Sequence, residues 1–294
     1  MADSKLEKIK ELRARTNSAL VDVRKALEVT DYNMDAAIAW LKENGIVKAA
    51  KKAGRIAAEG VVSAFGDRNS AILVEINSET DFVVKNEKFI KLVNEITPAI
   101  FMAGASTLEE ALSVKLSDNQ TVNEALIDAT AVIGEKISLR RIMRIKASTD
   151  QVLGIYVHAN NQVAAVVVVK GVNAEAARNV AMHVSAMNPE FTLVSEVPTE
   201  RIEEIKNGLE KPAGFDQKPL KVQETILQGQ LNKQLSEFVL EKQPFVMDDG
   251  VTVAKYLANS SSSLVKSIRF EVGEGIEKVQ SNFAEEVAAA ANLK

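Results

Sequence analysis

The chain has 294 residues, of which 46% are apolar and 26% charged, and carries a net charge of −4. It has no cysteine, which excludes disulfides, zinc–thiolate centres and cysteine nucleophiles. The length suits about two compact domains. The charged start, MADSKLEKIK, lacks the apolar core of a signal peptide. The longest apolar run, Val163 to Val169, has the length of a strand and not of a membrane span. The expectation is a soluble, cytoplasmic protein. The first 55 residues hold 12 Lys+Arg and 8 Asp+Glu. A small basic module therefore precedes an acidic remainder, which suits an acidic protein partner better than bulk nucleic acid.

Residues 4–54 read as three short helices. Leu6, Ile9 and Leu12 share a face of the first, and Leu20, Val23 and Leu27 a face of the second. The third begins at Asn33, a good N-cap, and carries Met34, Ile38 and Leu41 in helical register. Gly45 is expected to end it as a C′ residue. A fourth helical stretch, IVKAAKKAGR, places Lys48, Lys51, Lys52 and Arg55 on one face, for which solvation is the plain explanation.

From Ala57 the pattern changes. GVVSAF and SAILVEIN read as two strands joined by GDRN. A helix with Phe89, Leu92, Val93 and Ile96 on one side follows, then helices around 108–114 and 122–133, then the strand ISLRRIMRIKA. GIYVHA and QVAAVVVVKG repeat the strand pair, a helix spans 174 to about 188, and LVKSIRFEV supplies a late strand. These predict two related α+β subdomains. Inside the second, between its helix and the late strand, TERIEEIKNGLE and a stretch with Leu227, Leu231, Leu235 and Phe238 form an inserted antiparallel helical hairpin. Asn282 and Glu285 resemble a capping box, with Phe283 and Val287 sharing a face of a C-terminal helix. The predicted class is α+β: a helical module at 1–54, core subdomains at 55–147 and at 148–198 with 243–276, the hairpin at 199–242, and a helical module at 277–294.

No enzyme motif emerges. The two histidines, His158 at a strand end and His183 in an apolar-faced helix, are of the kind that is usually structural. There is no HExxH, no phosphate-binding GxxxxGK[ST] and no GxSxG elbow. Gly273–Gly275 is too short a glycine motif for a dinucleotide. A binding protein is favoured over an enzyme, and no cofactor or metal is expected.

One corner stands out. In 71–77, Ile72, Val74 and Ile76 face one way and Ala71, Leu73, Glu75 and Asn77 the other. Asn77, Ser78, Thr80 and Asp81 then form a polar turn, followed by Phe82. The plainer expectation is that Phe82 and Val83 fold together under the next helix as core; the alternative is a ring held out for a partner. A stiff corner suits the second role, because less ordering entropy is lost on binding.

The segment ETDFVVK, preceded by EIN, resembles the signature of the bacterial translation elongation factor Ts family. ELRARTNSALVDVRKAL, AAKKAG, Ile133-Gly134-Glu135, NVAMHVSAMNPEF, QPFVM and IRFEVGEGIEK agree with it in order along the chain. Departures stand at Asn17, Arg24 and Val84. The resemblance implies a guanine-nucleotide exchange factor for elongation factor Tu, GDP-bound or nucleotide-free, that requires no cofactor, nucleic acid or membrane. It implies a first module like a ubiquitin-associated three-helix fold. Thr80, Asp81, Phe82 and Val83 would displace Mg²⁺ in the partner. Arg13, Arg24, Lys25, Lys51, Lys52, Ile133, Gly134, His158, Val246 and Met247 would supply further contacts. An enzyme or a ubiquitin-type adaptor built on the same folds is the rival reading.

Overall fold

The computed structural model describes residues 2–16 and 18–277. Three helices come first: α1 (Ala2–Thr16), α2 (Leu20–Val29) and α3 (Met34–Lys52). Leu12, Val23, Ala26, Leu27 and Ala37 are fully buried among them, with Ile9, Met34, Ile38 and Leu41 packed around. Asn33 caps α3 as its residue type predicts, its side-chain oxygen accepting from the Ala36 N–H at 3.0 Å. The expected stop at Gly45 does not occur. Helix α3 runs through it to Lys52, and a Cβ there would lie 3.4 Å from Ala131. The glycine marks a close helix crossing rather than a helix end. Arg55 in turn lies beyond α3, so it does not share a helix face with Lys48, Lys51 and Lys52.

The first sheet holds β1 (Glu59–Gly66), β2 (Ser70–Ser78) and a later strand, β3 (Ser138–Lys146), antiparallel in that order. Asp67 closes the β1–β2 turn by accepting from the Asn69 and Ser70 N–H groups. Between β2 and β3 come α4 (Glu87–Ala103), α5 (Leu108–Ser113) and α6 (Val122–Ile133). The last two start with capping boxes, Thr107 with Glu110 and Thr121 with Glu124, which satisfy N–H groups that a helix start leaves unpaired. Ile72, Val74 and Ile76 pack under Phe89, Val93, Ile96 and Ile100 of α4 and Leu126 of α6, as the two periodicities predict.

The second half adds β4 (Gln151–Val157), β5 (Val163–Lys170), α7 (Ala174–Met187), α8 (Thr199–Asn207), α9 (Leu220–Leu235), β6 (Pro244–Phe245), β7 (Asp248–Thr252), α10 (Val253–Asn259) and β8 (Ser263–Glu271). Strands β4, β5 and β8 form a second antiparallel sheet in that order. Helix α7 crosses β4 so closely that a Cβ on Gly154 would sit 2.0 Å from the Ala177 carbonyl carbon. Leu231 and Leu235 of α9 are buried with Val197 and Val239, and half-buried Ile202 and Ile205 of α8, Leu209 just past its end, Phe191 and Val194 pack against them. Phe238 lies past the end of α9, where its ring meets Phe191 edge to face.

The two sheets also pack against each other. Val62, Ala71, Leu73 and Ile145 of the first meet Leu153, Ala164, Val166, Val168 and Phe270 of the second. Strands β2 and β5 are therefore covered on both faces, which explains the unbroken apolar run at Val163–Val169. Glu75 sits buried at this join. It accepts from Arg140 at 2.9 Å, Arg141 at 2.5 Å, the Gly273 N–H at 2.8 Å and the Asn77 amide at 3.1 Å. Burial alone would raise its pKa, but the Gly273 N–H and the two guanidiniums outweigh burial and hold it below the usual carboxylate range. Among the described residues no helix is long and apolar enough to cross a membrane. The predicted C-terminal helix, with Asn282, Phe283, Glu285 and Val287, lies outside the described residues.

Candidate functional site

After β2 ends at Ser78, the chain makes one 3₁₀ turn, Asp81–Lys85, before Asn86 caps α4 by accepting from the Lys88 N–H at 2.9 Å. This short turn separates the two residues that a sequence reading treats together. Val83 is 4% exposed and belongs to the core under α4, whereas Phe82 is 78% exposed. Thr80 is half-buried and Asp81 is exposed. The turn thus has an apolar anchor pointing inward and an apolar ring pointing outward.

The corner is held by hydrogen bonds, but not chiefly by the local polar ones that the sequence suggests. Ser78 supplies one, donating from Oγ to the Thr80 carbonyl at 2.9 Å. Asn77 instead turns into the sheet join. The main restraint arrives from the turn between α6 and β3. The Glu135 carboxylate accepts from the Thr80 N–H at 2.9 Å and from its hydroxyl at 2.8 Å. In return the Glu79 carboxylate accepts from the Lys136 N–H at 2.7 Å. The two segments hold each other through reciprocal carboxylate-to-backbone bonds, which are stronger than neutral ones. The chain leaving α3 joins the same knot. Lys52 donates to the Gly134 carbonyl at 2.6 Å, Lys136 donates to the Arg55 carbonyl at 2.9 Å, and Arg55 pairs with Glu79 at 3.2 Å. The first helical module is thereby tied to the corner that carries Phe82.

Sequence reasoning missed this clasp as a unit. Glu79 and Glu135 both lie inside recognised motifs, but nothing in either motif says that Thr80 meets Glu135 across 55 residues of chain. Of the remaining predicted contact residues, Arg13, Arg24, Lys25 and Lys51 are exposed on the helical module, with Lys25 standing 5.9 Å from the centre of the Trp40 ring. Lys52 is engaged internally, as above. Ile133 is half-buried against the first core and Gly134 closes α6 with a left-handed φ of 89°. His158 is exposed just past β4, its Nδ1 2.8 Å from the Asn160 side-chain oxygen. Val246 and Met247 are exposed at the β6–β7 turn. The structure does not gather these residues into one pocket; it distributes them over the helical module, the corner and the second half of the chain.

Neither histidine has the surroundings of a catalytic base. His183 is fully buried, and its pKa is lowered by that burial. Among the described residues no group of three or more His, Asp or Glu converges to hold a metal. What the corner offers is an exposed aromatic side chain on a braced support.

Residues 79–274 match the family described as Elongation factor TS. The chain is 66% identical to Elongation factor Ts of Mycoplasmopsis synoviae (strain 53), over 98% of its own length and 99% of the relative's. It belongs to the elongation factor Ts family. The likeness to the elongation factor Ts of Mycoplasmopsis pulmonis (strain UAB CTIP) is 49%, and to that of Acholeplasma laidlawii (strain PG-8A) 43%, each covering at least 97% of both chains. The span matched to the elongation factor Ts family starts at Glu79, the first acid of the clasp. It ends at Glu274, which pairs with Arg141 at 3.0 Å beside Glu75.

Proposed function

We propose that this chain is a guanine-nucleotide exchange factor for elongation factor Tu, acting in the cytoplasm without cofactor, nucleic acid or membrane. The observation that carries the reading is Phe82, a nearly fully exposed ring on a corner held by Glu79 and Glu135. An exposed phenylalanine is costly to leave in water and valuable to bury in a partner. Its support means that little ordering is needed on binding.

In this reading the corner enters the nucleotide domain of the GTPase near its Mg²⁺ and phosphate site. GDP there is held by backbone N–H groups and by a Mg²⁺ bridging phosphate and protein oxygens. Inserting a ring beside those elements shifts them and weakens nucleotide binding. Val83 anchors the insertion from inside, and Thr80 and Asp81 shape the turn. The helical module docks through Arg13, Arg24, Lys25 and Lys51, bringing positive charge to an acidic partner face. Ile133 and Gly134 flank the clasp, with Lys52 holding the Gly134 carbonyl. His158, Val246 and Met247 contact the partner from the second half of the chain. No covalent step is involved: exchange follows from mutual weakening of the two ligands of the GTPase, and the nucleotide concentrations set its direction.

The test is release of labelled GDP from elongation factor Tu with the chain present far below stoichiometry. Acceleration with repeated turnover is expected. No acceleration at any amount of chain, or turnover of a small substrate by the chain alone, overturns the reading.

A further inference from the structure

Val246 and Met247 are 50% and 59% exposed, at a turn of only two residues between β6 and β7. The turn is held from beneath. The Val246 N–H donates to His183 Nδ1 at 3.1 Å, and the other ring nitrogen, Nε2, lies 2.9 Å from the Gln243 side-chain oxygen. A backbone N–H can only donate, so Nδ1 accepts, and Nε2–H donates to the Gln243 side-chain oxygen. Gln243 is itself buried, and its carbonyl accepts from the Val253 N–H at 3.0 Å at the start of α10. Phe245, preceding the turn, is 1% exposed and stacks on Tyr256 at 4.1 Å, with the His183 ring tilted against it at 5.9 Å. Asn179, one turn before His183 on α7, donates to the Tyr256 hydroxyl at 3.0 Å. These contacts fix the inner side of a turn whose outer side carries two half-exposed apolar side chains.

We propose that His183 is a positioning residue for partner docking: by accepting from the Val246 N–H, it sets the turn that presents Val246 and Met247 to the GTPase. This deepens the exchange-factor reading and rests on it. The neutral ring is needed for the task, since a doubly protonated imidazole has no acceptor nitrogen. Burial, which disfavours the charged form, keeps it neutral. The role is separate from Phe82. His183 sets how tightly the partner is held, while the corner sets how far the nucleotide site is disturbed.

The experiment measures GDP release from elongation factor Tu against concentration of the intact chain, scored per folded molecule. His183→Leu and His183→Asn both remove the ring, but only the asparagine oxygen can accept from Val246. The leucine variant is expected to raise the half-saturating concentration by about tenfold, the effect of roughly one lost oriented hydrogen bond. Its maximal rate should be retained, and His183→Asn should stay near the unaltered chain. The decisive comparison is a cycle with Val246→Ser/Met247→Ser, two surface changes. In that background His183→Leu should add nothing, because it acts through the same turn. If the two effects add in full, or if Leu and Asn behave alike, the inference is overturned. Should His183→Leu fail to fold, Val246→Pro removes the same bond from the exposed side. It must then weaken docking more than Val246→Ala, and equal effects overturn the inference. If the unaltered chain releases no GDP, the exchange-factor reading fails instead, which the first curve alone reveals.

Discussion

Phe82→Ala and Val83→Ala, adjacent in sequence, should fail in opposite ways. Truncating a buried phenylalanine costs about 3–5 kcal/mol. With Phe82 78% exposed, only about a fifth of that burial exists to be lost, so the folding cost should stay below about 1 kcal/mol. Val83 is 4% exposed among Ile76, Phe89 and Val93. Losing its two methyl groups removes about 1.6 kcal/mol of transfer energy, and the cavity left behind brings the total to roughly 2–3 kcal/mol. For exchange the order reverses. If the Phe82 ring is buried in the partner only when the nucleotide site is disturbed, removing it forfeits roughly 2–3 kcal/mol there, a fall of about 30- to 150-fold in GDP release. Val83→Ala should exchange within a few-fold of the unaltered chain per folded molecule. Urea midpoints and release of labelled GDP, measured on both variants, decide the matter. A Phe82→Ala variant as unstable as Val83→Ala, with normal exchange when folded, refutes the reasoning.

Glu135→Ala removes both bonds to Thr80, so it should lower the maximal exchange rate while leaving partner affinity within a few-fold; a loss of affinity at an unchanged maximal rate would contradict the bracing role. Glu75→Gln should destabilise the fold by about 3–5 kcal/mol, because it leaves two guanidiniums facing a neutral amide at the sheet join. Because the folded-state pKa of Glu75 is depressed, its contribution is full above the unfolded carboxyl pKa. It is lost as pH falls through the lower folded value. Denaturant midpoints of the unaltered chain should therefore drop through the acid range more steeply than those of Glu75→Gln. Gly45→Ala should be neutral or stabilising, by up to about 1 kcal/mol, since the site is mid-helix and a Cβ meets Ala131 at ordinary contact distance. Destabilisation by a similar amount in thermal unfolding would show instead that the crossing with Ala131 cannot take the added methyl.

What could be read from the chain divides along the range of the interactions involved. The alternation Ile72, Val74, Ile76, the helical stripe of α4 and the Asn33 cap are local patterns, and each appears where the residues place it. Gly45 is also a local signal, but its meaning depended on Ala131, which no neighbouring residue announces. The face of β2 bearing Ala71 and Leu73 was legible as a face, while what covers it was not, because the covering strands are remote in sequence. Glu75 shows the limit most plainly. Its alternation put it opposite the first core, yet its burial follows from Gly273, 198 residues away. Phe82 could not be separated from Val83 because a single 3₁₀ turn has no repeating period to read. The polar turn points to a corner held by hydrogen bonds, but the main partner, Glu135, lies in another motif.

The central claim is that chain and nucleotide weaken each other on one GTPase. Affinity of the intact chain for elongation factor Tu, measured nucleotide-free and again with saturating GDP and Mg²⁺, tests it most directly. The chain should bind the nucleotide-free form more tightly, and by the same factor by which it weakens GDP, since the two couplings are one free energy. Equal affinity for both forms would contradict the account, however tightly the two proteins associate.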